Sequence, residues 1–280
     1  MIDLHIHTNL SDGTDSIEEL LEKLHENDIQ IFSITDHDNI DSFYQMQNYE
    51  KHIKNKGMQY IPGIEISTTF ENENMHLIVY GYEKHHEVLQ TISDNIKDLR
   101  LNRVRLLLEK LKNDYNIRFS DLEIEWLFNQ HNPSKPHIAQ LLVKNGYGDT
   151  IQSVFDKYLN YHFQDSKPPA INIVKTLSNA GLIVGIAHPL GGIGEKTVSE
   201  KTFIHNVSSL CQYGIKFLEC YYSLYDEKQR NTIKNIALKY NLYLSGGSDY
   251  HGKNKNVLLG DTGQDYIQNI TDFTILNILK

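Results

Sequence analysis

Met1-Ile2-Asp3-Leu4-His5-Ile6-His7-Thr8-Asn9-Leu10-Ser11-Asp12-Gly13 opens the chain. Ile2, Leu4 and Ile6 alternate with Asp3, His5 and His7, the period-two pattern of a strand. Side chains two apart on a strand point the same way, so both imidazoles leave one face. Imidazole is the commonest metal ligand, and two on one face supply half of a tetrahedral site. For a lone pair of strand histidines a structural role is the plainer reading, so the rest of the chain has to decide.

Downstream of this strand, Ser16 and Glu19 form a capping box that predicts a helix to about Asn27. Ile29 to Ile34 reads as a second strand, ending in Thr35-Asp36-His37-Asp38. A helix is expected over roughly Ile40 to Asn55, a third strand over Gln59 to Ile66 and a fourth over Met75 to Tyr82, with His76, Ile78 and Tyr80 on one face. Strand and helix alternate as in βα units on a parallel sheet. The rhythm breaks between about Glu83 and Gly181, where helical spacing recurs near 86–113, 120–130, 134–146 and 149–159. It resumes with the apolar strand Gly181 to Ala187, which ends at His188-Pro189 and is followed by a loop with Gly191, Gly192 and Gly194. Ile215 to Cys220 and Asn241 to Gly247 are further strands, with a helix from Asp226 to Tyr240 between them, and Ser248-Asp249-Tyr250-His251-Gly252 follows. Seven such units predict an α/β fold, a closed or nearly closed (β/α)7 barrel. Residues 1–84 and 180–280 form the barrel, and 85–179 a helical insert between strands four and five.

Metal-type residues gather on this map. His5, His7, Asp12, His37, Glu65, His76, His188, Asp249 and His251 lie on or just after the strands, where a barrel of this type builds its active site. The other eight histidines, 25, 52, 85, 86, 131, 137, 162 and 205, fall on helices or loops. Asp36 and Asp38 read as groups that orient His37 or cap the chain, and Glu219 is unassigned. Six imidazoles and three carboxylates exceed the needs of one ion and fit two or three divalent cations. Three carboxylates against three such ions leave about three positive charges, most of which a bridging hydroxide and a phosphate dianion would neutralise and a neutral substrate would not. Phosphoester hydrolysis is the favoured chemistry.

The bulk properties are compatible with this. The chain has 280 residues and a net charge of −9, which argues against binding long nucleic acid. No apolar run approaches a membrane span, no basic or apolar leader is visible, and Cys211 and Cys220 are isolated. A cytoplasmic protein with reduced thiols is expected.

His-x-His, Ser-Asp-Gly, Thr-Asp-His-Asp, Gly-Ile-Glu-Ile-Ser, the lone His76, Ala-His-Pro and Gly-Ser-Asp-Tyr-His-Gly resemble, in that order, the motifs of the PHP (polymerase and histidinol phosphatase) superfamily. The resemblance covers essentially the whole chain. It implies a distorted barrel with a trinuclear centre of Mn, Fe or Zn; the mechanism expected of such a centre is attack of a metal-bridging hydroxide on phosphorus, with no side chain catalytic in its own right. It further implies that His5, His7, Glu65 and Asp249 hold one ion, that Glu65 bridges to a second shared with His76 and His188, and that Asp12, His37 and His251 hold the third.

The insert is similar to that of the branch containing nucleoside 3′,5′-bisphosphate phosphatases, AMP-forming phosphatases and short-RNA 5′-exonucleases, through Ser134-Lys135-Pro136-His137-Ile138-Ala139 and Phe155-x-x-Tyr158-Leu159. Members of that branch commonly have Arg where Lys135 stands. Four of the chain's five arginines, Arg100, Arg103, Arg105 and Arg118, are in the insert, with Arg100 and Arg103 three apart on one helix. Arg100, Arg103, Ser134, Lys135 and His137 are therefore the candidate substrate contacts, against the plainer reading of a solvated, ion-paired helix face. A small phosphorylated substrate, a nucleotide first, is the expected partner. Histidinol phosphate is the alternative substrate, and an amidohydrolase-type metal hydrolase the alternative class.

Overall fold

The computed structural model describes residues 1–130, 133–161, 167–264 and 266–279, so His131 and His162 lie outside the described residues. The chain forms two compact units, Met1–Ser93 with Pro168–Lys280, and Asp94–Lys167.

In the first unit, β1 (Ile2–Ile6), β2 (Ile31–Ile34) and β3 (Gln59–Tyr60) form a parallel three-stranded sheet. Helix α1 (Ile17–Glu26) starts at the Ser16–Glu19 capping box and lays Ile17, Leu20, Leu21 and Leu24 on Ile6, Phe32 and Ile34. The apolar half of β1 thus faces a packed core, and its polar half is buried on the opposite face. The helix expected over 40–55 is interrupted by a 3₁₀ turn at Gln47–Tyr49, giving α2 (Asp41–Met46) and α3 (Glu50–Asn55).

The second sheet has the order β4 (Gly63–Phe70), β5 (Glu73–Tyr80), β6 (Ile183–Ile186), β7 (Phe217–Tyr222), β8 (Tyr243–Gly247). It corrects the parallel expectation. β4 and β5 form an antiparallel hairpin, and β5 is also antiparallel to β6. The hairpin turns on Glu71 and Asn72, both with left-handed backbone at φ 50° and 67°, and two residues leave no room for a crossover helix. The third predicted strand is broken at Pro62, whose carbonyl accepts from Gly81 N, while Ile61 N still donates to Phe32. Two parallel bridges link the sheets, Ile6 with Tyr250 and His37 with Glu65. Backbone bonds from Asp249 N to His5 O (2.8 Å) and from Asp38 N to Glu65 O (2.9 Å) run beside them.

Helix α4 (His86–Tyr115) runs from the first unit into the second, which also contains α5 (Asp121–Phe128), α6 (Lys135–Lys144) and α7 (Ile151–Tyr158). Val104, Leu107 and Leu111 of α4 pack with Leu127, Ile138, Leu142 and Val154 into that unit's own core. Helix α8 (Ala170–Asn179), which the periodicity did not predict, packs on β4 and β6 and is part of the first unit. Helix α9 (Glu200–Cys211) follows β6, and α10 (Glu227–Tyr240) follows β7 where a helix was expected. Cys220 is buried and Cys211 half-buried, both as free thiols. No described helix is long and apolar enough to cross a membrane.

Candidate metal centre

The polar face of β1 sets the geometry. His5 Nδ1 meets Glu219 Oε1 of β7 at 2.8 Å, so Nε2 is turned inward. There it lies 3.1 Å from His7 Nε2, 3.2 Å from Glu65 Oε2 and 3.5 Å from Asp249 Oδ1. His7 Nε2 is 3.1 Å from Glu65 Oε2 and 3.4 Å from Asp249 Oδ1. Four ligand atoms around one divalent ion at bonds near 2.0–2.1 Å stand about 3.4 Å apart, so the spacing is that of a coordination shell. β8 comes this close because of Gly247, where a Cβ would sit 2.4 Å from that of His5.

Glu65 faces a different set of groups with each oxygen. Oε2 serves His5 and His7 and lies 3.3 Å from His37 Nδ1. Oε1 is 2.9 Å from His188 Nε2 and 3.1 Å from His76 Nδ1. A third group is centred on Asp12, whose Oδ1 is 3.2 Å from His251 Nε2 and 3.6 Å from His7 Nδ1, with Oδ2 3.8 Å from His37 Nε2. All nine candidates thus converge. The ligand atoms of His5, His7, Glu65 and Asp249 lie within 4.8 Å of one another, as do those of His7, Asp12, His37 and His251 and those of His37, Glu65 and His76.

Surrounding groups aim these ligands. Tyr222 donates to Asp249 Oδ2 at 2.8 Å and Lys255 at 2.7 Å, leaving Oδ1 for the histidines. Asp36 accepts from Thr8 N (2.8 Å), Thr8 Oγ1 (2.7 Å) and Ser11 Oγ (2.6 Å) and so pins the loop that presents Asp12. Asp38 accepts from Ser67 N at 2.7 Å and ties the loop after β2 to β4. His188 and Asp249 occupy left-handed backbone just past their strands, at φ 26° and 59°.

The buried groups of the site shift one another's protonation. Burial opposes ionisation of Glu65, yet His37, His5 and His76 hold its carboxyl well below the usual range. Burial would depress His5 too, but Glu219, Glu65 and Asp249 raise it well above its ordinary value. His188 is pushed up to about 10 against its burial by Glu195 and Glu65. His7 moves the other way, lowered by burial and then by His251 and His37. His37 Nδ1 and His251 Nε2 are buried and make no hydrogen bond, although carboxylates are near. Such orphaned nitrogens, in a mixed imidazole and carboxylate donor set, fit Mn, Fe or Zn.

Motif reading missed Glu195. It follows the glycines after β6 and approaches His188 Nδ1 at 3.0 Å and His76 Nδ1 at 3.6 Å, forming a further ligand group with them. These three residues also line a cavity of about 540 Å³ together with Asn74, Thr202 and Asn206. Glu219, left open by the motifs, sits in a fully buried position that explains its use.

The insert candidates lie within the second unit. Arg103 and Lys135 are both depressed, each by burial first, then Arg103 by Arg100 and Lys135 by Arg103. Arg103 Nε is buried with no hydrogen-bond partner. Lys135 Nζ donates to Tyr161 O at 2.8 Å, and Ser134 Oγ pairs with His137 Nδ1 at 3.0 Å. Arg105 Nη1 donates to Asn102 Oδ1 at 2.9 Å and its guanidinium lies over Phe128.

Comparison with known proteins agrees with this geometry. The chain is 26% identical over 255 residues to the 5′-3′ exoribonuclease Rnm of Salmonella typhimurium, covering 89% of this chain and 84% of that protein. It is 25% identical over 272 residues to the 3′,5′-nucleoside bisphosphate phosphatase of Chromobacterium violaceum, covering 94% and 90%. A solved structure titled an amidohydrolase from Chromobacterium violaceum, with bound SO4 and no metal, shares the fold with TM-score 0.74 at 22% identity over 99% of this chain and 95% of that one. The PHP domain matches residues 3–219. A strand-borne His-x-His, a carboxylate shared between two histidine sets and this match together identify the chain as a metal-dependent hydrolase belonging to the PHP domain family.

Proposed function

We propose that the chain hydrolyses a phosphomonoester of a small nucleotide, a nucleoside 3′,5′-bisphosphate, AMP or the end of a short oligonucleotide, at a centre of two to three divalent ions. The ligands are His5, His7, Asp12, His37, Glu65, His76, His188, Asp249 and His251. The observation that carries this reading is Glu65, whose oxygens face His5, His7 and His37 on one side and His76 and His188 on the other. When bound, the ions supply Lewis-acid activation of water and positive charge for the phosphoryl oxygens. The side chains hold the site rigid: Glu219 orients His5, Tyr222 and Lys255 orient Asp249, and Asp36 fixes the Asp12 loop. Arg100, Arg103, Ser134, Lys135 and His137 are assigned as phosphate or ribose contacts. The buried Arg103 Nε without a hydrogen-bond partner, and the lowering of Arg103 by Arg100 and of Lys135 by Arg103, support an anionic ligand there.

The two sheets are read as one distorted seven-stranded barrel in which β3 and β4 count as a single broken strand. The bridges of Ile6 with Tyr250 and His37 with Glu65 support that closure. A phosphate-release screen over nucleotides, sugar phosphates and histidinol phosphate with added Mn²⁺, beside elemental analysis, tests the function. Release is expected from a nucleotide phosphomonoester by protein carrying two or three ions. Faster turnover of histidinol phosphate than of any nucleotide would overturn the substrate, and turnover of an amide alone would overturn the chemistry.

A further inference from the structure

His5 and His188 are held in the same way by different means. Each directs Nε2 at Glu65, His5 at 3.2 Å from Oε2 and His188 at 2.9 Å from Oε1. Each meets a second carboxylate with Nδ1, Glu219 at 2.8 Å and Glu195 at 3.0 Å. An imidazole that donates through one nitrogen presents the lone pair of the other, so the outer carboxylate selects both tautomer and direction. Glu219 is fully buried on β7. Glu195 is 32% exposed, on the glycine-rich loop after β6. That loop is fitted to the ring: Gly192 N donates to Glu195 Oε2 at 2.8 Å, and a Cβ at Gly192 would come 2.9 Å from His188 Nδ1. The other oxygen, Oε1, is 3.6 Å from His76 Nδ1.

We propose that Glu195 is a positioning residue for His188, holding its Nε2 toward Glu65 and placing a further carboxylate oxygen at the His76–His188 corner, so that this corner's affinity for a divalent cation depends on it. The proposal rests on the metal-binding reading above. It makes the three corners unequal. His76, His188 and Glu195 line the 540 Å³ cavity, whereas His5 is fully buried, so this corner is more open to solutes than the His5 corner.

Titration of the metal-free protein with Mn²⁺, by calorimetry and elemental analysis after gel filtration, tests it in wild type, Glu195→Ala and Glu195→Gln. One ion should bind about 10–100-fold more weakly in Glu195→Ala, the typical effect of removing such an orienting partner, with the remaining ions unchanged. Glu195→Gln retains an acceptor for Nδ1–H and should recover part of the loss. Thermal unfolding of the metal-free variants is read alongside, and if Glu195→Ala fails to fold, Glu195→Gln carries the comparison. Equal isotherms for wild type and the folded variants overturn the role of Glu195 alone. A wild type that takes up no Mn²⁺ overturns the metal reading and this inference with it. Uniform weakening of every ion also overturns the assignment to one corner.

Discussion

In the first unit, one carboxylate, Glu65, stands among five imidazoles, and almost every neighbouring polar group is turned to aim them. In the second, Arg103 and Lys135 are both held below their ordinary values, by burial first and then Arg103 by Arg100 and Lys135 by Arg103. The first arrangement gathers imidazoles around carboxylates; the second gathers Arg100, Arg103 and Lys135 within the insert. Under the proposed function the two regions carry two tasks, ion binding on one set of elements and phosphate recognition on another, so substitutions in them should fail differently.

Asp249→Asn is the most severe test of the first unit. Asn accepts the left-handed backbone that residue 249 adopts, so folding should survive while turnover falls on the order of 10³-fold or more, as when a group acting on the transition state is removed. Circular dichroism beside phosphate release checks both halves, and retained turnover would end the metal assignment. Arg103→Ala should act on the other side of the comparison, raising KM about 10–100-fold through loss of one charge-assisted phosphate contact while kcat changes little. An effect on kcat alone would place Arg103 with the first unit's chemistry instead.

Proton release sharpens the contrast further. Without metal, His188 carries its proton up to about pH 10, above its unfolded value, so it is protonated at pH 7. A cation bound at Nε2 must displace that proton, so affinity should rise from pH 6 to 8 by about one order of magnitude per pH unit for each proton displaced. Calorimetry in two buffers of different ionisation enthalpy counts those protons; a pH-independent affinity would contradict it. The smallest expected effect is that of Lys135→Arg. A planar fork grips phosphate where an ammonium acts as a point charge, and KM should fall about 2–5-fold.

Much of the first unit was legible because its ligands follow strands. Period two put His5 and His7 on one face, and strand ends located His37, Glu65, His188 and Asp249. The hairpin was not legible, because Glu71 and Asn72 adopt left-handed backbone without the Gly that advertises such a turn. Helix α8 was hidden behind Pro168 and Pro169, where the insert was expected to continue to residue 179. Glu195 lies in a glycine-rich loop, where no periodicity states which way a side chain turns, and only the fold of that loop onto His188 reveals it. In the insert, sequence located the cations but not their company: Lys135 already bonds Tyr161, and Ser134 and His137 bond each other.

His188 and Asp249 keep backbone conformations that side-chain-bearing residues rarely adopt, each at a cost of about 1–3 kcal/mol. Glycine at either position would relieve that cost and remove a candidate ligand in one step. A library of this chain sorted by heat survival alone, in the absence of metal, should therefore enrich Gly or Asn at 188 and 249. Such a sort would yield sturdier proteins that no longer work, so any attempt to toughen this enzyme has to be run with its ions present.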